Sequence, residues 1–156
     1  PLVRVMPNVA AIVRQSMTAL TSCRTTDEQV NAVRDLMNSV GRTILIDEDY
    51  FPVFQALASC SPAWYFQIID SFARAGLKYG LSKDSAVEIA AQAMAGSAAL
   101  LLAERETGTI PAQLIDRVTS PGGTTIAGLL AAEEGGLSSA LVGAVDASIH
   151  ADSHLG

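Results

Sequence analysis

The most constraining feature of the sequence is a long segment that is apolar on nearly every side. Ser82, Lys83 and Asp84 form a helix start, and the pattern continues to about Arg105, a helix of about 36 Å. A helix with apolar residues all round has to be buried on all sides. A chain of 156 residues cannot easily enclose such a helix. The sequence therefore predicts that a partner chain completes its burial.

The composition bears on the kinds of partner that this chain can bind. The most apolar run, Ala93 to Ala103, has 11 residues, whereas spanning a bilayer takes about 20; we interpret it as part of a buried helix. The net charge is −6, and a nucleic-acid binder needs a cationic face. No cationic amphipathic stretch indicates a membrane surface. We therefore expect neither a nucleic-acid nor a membrane partner.

Cysteine usage indicates a reducing compartment. The two cysteines, Cys23 and Cys60, lie 37 residues apart, and no signal-peptide pattern precedes them. Two cysteines are too few for a disulfide framework, and their spacing fits no zinc motif. The sequence predicts a cytoplasmic protein.

Strand signals are confined to the first 47 residues. Short β-branched or alternating runs predict strands at 2–6, 16–22 and 42–46. Between the last two, either Thr25 or Thr26 caps a helix that runs to about Val40 and is ended by Gly41. Later segments have helical spacing only: 50–57, 63–79 after a break at Ser61-Pro62, 82–105, 111–118, from the 119–125 loop to 134, and 137–152. The sequence therefore predicts a boundary near residue 47, between a strand-containing part, 1–47, and a helical part, 48–156.

The loop Thr119-Ser-Pro-Gly-Gly-Thr-Thr125 carries the most chemical information. Proline followed by glycine favours a type II turn, which needs a positive φ at the glycine. Thr124 or Thr125 is expected to cap the following helix. Backbone amides at a helix N-terminus form an anion site. Because the loop contains no Lys or Arg, a carboxylate fits it better than a polyphosphate; the alternative is a plain helix-entry turn.

Four stretches together resemble pyrroline-5-carboxylate reductase. They are TSPGGTTIAGLLAAEEGG from residue 119, RVMPN at 4–8, SPAWYFQIIDSFARAGLKYGL at 61–81, and the Ala-rich helix that follows. The resemblance covers essentially the whole chain, in family order. Members begin with a nucleotide-binding Rossmann domain that has a glycine-rich fingerprint, and no G-x-G-x-x-G occurs here. The chain therefore looks like the C-terminal portion of such an enzyme, inactive on its own, with most of the Rossmann domain missing.

The resemblance implies a mainly α fold. It consists of a helical domain similar to the C-terminal domain of 6-phosphogluconate dehydrogenase, preceded by a short strand-containing remnant of the Rossmann domain. It implies a homodimer formed through the long helices, with a larger assembly of dimers left open. The implied reaction is the reduction of 1-pyrroline-5-carboxylate to L-proline by NADPH or NADH, which the missing domain would mainly bind.

The resemblance also implies roles for individual residues. The substrate loop maps onto Ser120, Pro121, Gly122, Gly123, Thr124 and Thr125. Its amides hold the substrate carboxylate, and the Thr125 hydroxyl is the catalytic group that meets the ring nitrogen. Pro7 and Asn8 match positions at the cofactor, and Glu48 matches an acidic position near the substrate. No metal is implied.

The chain departs from the family pattern in two places near the expected cofactor. Val9-Ala10 stands where members usually have Thr-Pro, and Ser59-Cys60-Ser61-Pro62-Ala63 stands where they have Gly-Ser-Gly-Pro-Ala. These departures bear on cofactor affinity or preference. The substrate loop is intact.

Other chemistry-bearing residues have plainer interpretations. Cys60 has no histidine nearby in sequence and is expected to be a small buried hydrophobe. His150 and His154 have the spacing of metal ligands, with Asp146 as a possible third, but the two histidines lie in the last seven residues, where helix ends fray. Glu133 and Glu134 are expected to be solvated.

Two other functions compete with the reductase hypothesis. One is a non-catalytic helical dimerisation module of the same fold. The other is a related NAD(P)-dependent imine or β-hydroxyacid oxidoreductase, in which a catalytic lysine lies within a long helix. Lys78 and Lys83 flank Gly80 at a helix junction instead, so the sequence disfavours the β-hydroxyacid enzyme.

Overall fold

A computed structural model describes residues 1–154, and the chain divides into two compact units. The first unit contains residues 1–64 together with the stretch that begins at Val142. The second unit is Tyr65–Leu141. From Asp47 onward the described residues contain helices and turns but no strand. The predicted mainly α class is confirmed, whereas the boundary at residue 47 stays a prediction.

The first unit is built on a three-stranded sheet with the order β1-β2-β3. Strand β1 (Leu2–Met6) pairs antiparallel with β2 (Ser16–Cys23), and β2 pairs parallel with β3 (Gly41–Leu45). Helix α1 (Asp27–Asn38) makes the crossover between the two parallel strands, as such a connection requires. All three predicted strands are confirmed.

The ends of α1 decide one point that the prediction left open and correct another. Thr26, not Thr25, is the cap: Thr26 Oγ1 accepts from Gln29 N at 3.3 Å, and Gln29 Oε1 accepts from Thr26 N at 3.1 Å. At the other end α1 stops at Asn38, where the Ser39 hydroxyl donates to the Leu36 carbonyl at 2.7 Å. The predicted end at Gly41 is therefore wrong, because Gly41 already belongs to β3.

The helical region begins without the predicted break at Ser61-Pro62. A 3₁₀ turn at Glu48–Tyr50 leads into α2 (Phe51–Phe54), a π-helical segment (Gln55–Cys60) and α3 (Ser61–Lys78) without interruption. Proline disrupts an α-helix chiefly because it lacks an N–H. Here the helix does not end at Pro62, because Pro62 lies where the π-helical segment changes into the α-helix α3.

The core of the first unit lies where this helical region meets the sheet. Ala19 of β2 packs with Phe51, Phe54 and Ala58, and Phe51 is one of the largest fully buried side chains. At the first residue of the π-helical segment, Gln55 Nε2 donates to Asp152 Oδ1 at 3.0 Å. The segment is thus anchored to the sheet by packing and to the C-terminal helix by a hydrogen bond.

The second unit contains the rest of α3 and the helices that follow. These are α4 (Lys83–Glu104), α5 (Pro111–Val118), α6 (Thr124–Glu134) and the beginning of α7 (Leu137–Asp152). Helices α3 and α4 meet through small residues, since Ala73 and Ala86 are buried and a Cβ on Gly76 would lie 2.9 Å from that of Ala86. Small contact residues allow a close approach but bury little apolar area.

Helix α4 is left largely uncovered by its own chain. Only Ala86 is buried along it, while Ile89 is 58% exposed. By length and composition residues 83–107 could cross a membrane. The run of 11 apolar residues at 93–103 therefore underestimates the apolar length of this helix. A core helix of a soluble protein meets the same criteria of length and composition. The helix needs cover from outside the chain.

Replacing Thr26 with alanine should destabilise α1. The change removes the acceptor for Gln29 N, and the loss of an N-cap costs about 1 kcal/mol. Thr25→Ala is the matched control, since the Thr25 side chain takes no part in the capping box. Urea denaturation of both variants measures the difference. Equal losses of unfolding free energy would contradict the assignment of the cap.

Candidate functional site

The loop between α5 and α6 has the predicted turn geometry. Gly123 N donates to the Ser120 carbonyl at 2.9 Å, which closes a four-residue turn. Pro121 occupies its second position, and Gly122 has φ of +68° at the third. A positive φ at that position is what a type II turn requires, and glycine adopts it without a Cβ penalty.

The helix that follows begins earlier than predicted, by one residue if Thr124 is taken as the expected cap and by two if Thr125 is. Gly123 is the N-cap of α6, with extended backbone angles, and Thr124 and Thr125 already lie in the first turn. The expectation that a threonine caps this helix is wrong. The N-cap is a glycine and has no side chain that could cap the helix, and a Cβ at this position would overlap the Ser120 hydroxyl unless that hydroxyl moved.

This arrangement leaves a group of backbone amides without a side-chain cap. The first intrahelical bond runs from Ala127 N to the Gly123 carbonyl at 3.3 Å. The amides of Thr124, Thr125 and Ile126 precede it, and a glycine N-cap offers them no acceptor. Both threonine side chains are exposed. Together with the helix dipole, these amides can bind an anion.

The basic residue nearest to the loop in sequence, Arg117, is engaged in an ion pair within the second unit. Arg117 Nη1 donates to Glu104 Oε2 at 2.5 Å. This hydrogen bond raises the pKa of Arg117 and lowers the pKa of the Glu104 carboxyl. The anion site is therefore made of neutral donors, which suits a singly charged group such as a carboxylate better than a polyphosphate.

Pro7 and Asn8 form the turn that follows the carboxyl end of β1. Pro7 is exposed, whereas Asn8 is half-buried. Asn8 Oδ1 accepts from Ala10 N at 3.2 Å and so caps the 3₁₀ turn Val9–Val13, while Nδ2 donates to the Ala58 carbonyl at 2.9 Å. The Asn8 side chain therefore holds two parts of the first unit together.

Glu48 forms an ion pair with Arg4 of β1. The guanidinium of Arg4 also lies over the Phe51 ring, 4.3 Å from its centroid, a cation–π contact. Sequence reasoning missed Arg4 because β1 and Glu48 are far apart in the chain. The only local signal was a charged residue within an otherwise apolar strand.

The structure places the predicted site residues in both units. Pro7, Asn8 and Glu48 lie in the first unit, and the loop from Ser120 to Thr125 lies in the second. Within each unit the residues sit at turns or helix starts, where backbone donors and exposed side chains are available.

The other chemistry-bearing residues have local partners. The His150 and His154 rings lie 4.5 Å apart, and His154 Nδ1 contacts the His150 carbonyl at 2.7 Å. Throughout residues 1–154, no three His, Cys, Asp or Glu side chains form a metal-binding group. Lys83 pairs with Asp70, and this hydrogen bond lowers the pKa of the aspartate.

Comparison with known proteins points to one family. Residues 48–155 match the family model described as pyrroline-5-carboxylate reductase dimerisation. The pyrroline-5-carboxylate reductase of Mycobacterium tuberculosis is 37% identical over 163 residues, which cover 95% of this chain and 55% of that protein. The chain thus spans about half the length of the curated relatives that it matches.

Solved structures of this family have the same fold. The 1-pyrroline-5-carboxylate reductase of Streptococcus pyogenes superposes with a TM-score of 0.85 at 42% identity, covering 96% of this chain and 57% of that one. The Plasmodium falciparum pyrroline carboxylate reductase with NADP bound superposes with a TM-score of 0.87 at 28% identity, covering 99% and 61%.

Replacing Gly123 with alanine should distort the loop, and Ser120→Ala should relieve much of the distortion. The added Cβ overlaps the Ser120 hydroxyl, and forcing that side chain away from its preferred rotamer costs about 0.5–1.5 kcal/mol. Urea denaturation of the two single variants and the double variant measures the coupling. If Gly123→Ala is as costly with alanine at 120 as with serine, the steric account of the cap is wrong.

Proposed function

The chain belongs to the pyrroline-5-carboxylate reductase family, and on that premise we propose that the protein reduces 1-pyrroline-5-carboxylate to L-proline. The observation that carries the proposal is the uncapped N-terminus of α6 behind the Ser120–Gly123 turn. The substrate has one carboxylate and one ring imine, which match an anion site made of amides beside an exposed hydroxyl.

The loop would bind the substrate by its carboxylate. The amides of Thr124, Thr125 and Ile126 point out of the helix start, and no cation in the loop adds a second positive charge. Amide donors at a helix N-terminus stabilise an anion. We propose that Ser120, Gly122, Gly123 and Thr124 form this carboxylate site.

Thr125 would orient the imine. In the reaction the carbon of the C=N bond gains a hydride and the nitrogen gains a proton. With the carboxylate held by the neighbouring amides, the exposed Thr125 hydroxyl can reach the ring nitrogen of the same molecule. Fixed placement of the reacting groups can account for about 7–11 kcal/mol of a barrier.

Glu48 is proposed to lie near the substrate as well. A carboxylate close to an imine nitrogen favours its protonated form, and that form accepts a hydride more readily. Arg4 restrains the Glu48 carboxylate through their ion pair. The Glu48 side chain is partly exposed, as contact with a small molecule requires.

The Pro7-Asn8 turn fits beside a nicotinamide ring. Pro7 is exposed and uncharged, whereas both polar atoms of the Asn8 side chain have partners in the first unit, Ala10 N and the Ala58 carbonyl. The turn has no group suited to a phosphate, and the glycine-rich fingerprint for the pyrophosphate does not occur in the sequence. NADPH or NADH, when bound, supplies the hydride.

A second copy of the chain is proposed to cover α4. The exposed apolar surface of α4 continues into an open groove of about 440 Å³ against α3, lined by Phe72, Ile89 and Met94 among others. The family model that matches this region is named for dimerisation. A homodimer of this kind places α4 in a protein interior and is consistent with a cytoplasmic enzyme.

Thr125→Ala should lower turnover in the intact protein far more than it lowers stability. Loss of a hydrogen bond to a charged or developing group reduces the rate roughly 10- to 150-fold. Neither threonine caps α6, so neither alanine variant should lose capping energy. Steady-state assays with 1-pyrroline-5-carboxylate, together with thermal melts, measure both effects.

Thr124→Ala is the matched control for this prediction. It has the same change of side chain, the same exposure and the same helical turn, but its amide would still serve the carboxylate. Full turnover of Thr125→Ala, or an equal loss in Thr124→Ala, would contradict the proposed contact with the ring nitrogen.

A further inference from the structure

Pro62 lies inside a helical stretch that continues on both sides of it. The π-helical spacing holds up to the residue before, since Ser61 N donates to the Ala56 carbonyl five residues back. At Pro62 the next donor is missing, because proline has no N–H. An N–H there would bond to the Leu57 carbonyl in a π-helix or to the Ala58 carbonyl in an α-helix.

Side chains serve both of these carbonyls. The Ser61 hydroxyl donates to the Leu57 carbonyl at 2.6 Å. Asn8 Nδ2 donates to the Ala58 carbonyl at 2.9 Å, from a position 50 residues away in the chain. Ala58 is 8% exposed and belongs to the core, where water does not readily replace a lost donor.

Asn8 is itself held from two sides. Its Oδ1 accepts from Ala10 N, and its backbone N–H donates to Ser16 Oγ at 3.2 Å. Ser16 is buried and shares a hydrogen bond with the buried hydroxyl of Thr18 at 3.2 Å. These hydrogen bonds fix the Asn8 side-chain amide relative to β2, independently of its bond to the Ala58 carbonyl.

We propose that Asn8 is a positioning residue whose side-chain amide replaces the N–H that Pro62 lacks. By serving the Ala58 carbonyl, it fixes the π-helical turn and the residues Ser59, Cys60 and Ser61 that follow. Its importance to the cofactor region, which rests on the proposed function, comes through this turn rather than through its own contact with the cofactor.

A double-mutant cycle in the intact protein tests the link between Asn8 and Pro62. Asn8→Ser keeps an acceptor for Ala10 N, since serine is a good N-cap, but is too short to reach Ala58. Pro62→Ala supplies the missing N–H. The readout is amide hydrogen exchange of residues 59–66, which reports local opening.

Asn8→Ser should speed this exchange about tenfold when proline is at 62, because a buried carbonyl loses its donor. With alanine at 62 the same change should have an effect of about twofold or less, since coupled sites are non-additive. Asn38→Ser, an exposed asparagine, is the control and should leave residues 59–66 unchanged. Equal acceleration in both backgrounds would overturn the proposal.

Should Asn8→Ser fail to fold, the double variant is expected to fold, and failure of both overturns the proposal. The Michaelis constant for NADPH or NADH gives a second readout. Positioning predicts that Asn8→Ser raises it and that Pro62→Ala reverses the rise; a rise that is the same in both backgrounds indicates direct contact and overturns the proposal.

The two proposals fail in different ways. An intact protein without reductase activity, but with coupled exchange at residues 59–66, contradicts the proposed function and leaves the role of Asn8 supported. An active reductase in which the exchange effects of the two substitutions simply add contradicts the role of Asn8 alone.

Discussion

The burial of α4 is the constraint on which the rest of the second unit depends. Its contact with α3 is made by Ala73, Gly76 and Ala86, whose small side chains bring the two helices close without hiding much apolar surface. The ion pair between Asp70 and Lys83 is exposed, and exposed pairs stabilise little. We therefore expect the stability of this unit to come from apolar surface that the second copy covers in the proposed homodimer.

The candidate substrate loop shows how a site can be built without charged side chains. The glycine cap at 123 leaves the first amides of α6 without a side-chain cap, and Arg117 is held by Glu104. The proposed anion site would owe its strength to backbone geometry and the helix dipole. Such a site favours a small, singly charged ligand and changes little with pH near neutrality.

Local signals in the sequence predicted much of the fold and the loop. The three strands, the capping box of α1 and the Pro121-Gly122 turn each depend on neighbouring residues, so their patterns are readable. The π-helical segment at 55–60 was missed because one of its hydrogen bonds comes from Asn8, which is 50 residues away from Ala58, and Pro62 alone indicated a break. Arg4 was missed for the same reason, since its partner Glu48 is distant in sequence.

Hydrogen exchange of α4 as a function of protein concentration tests most directly whether a second copy buries this helix. Folding of α4 against a partner predicts strong protection at micromolar concentration, with faster exchange on dilution as dimers dissociate, because association stabilises by mass action. The sheet of the first unit should keep its protection over the same range. Protection of α4 that does not change while the protein sediments as a monomer would contradict the account.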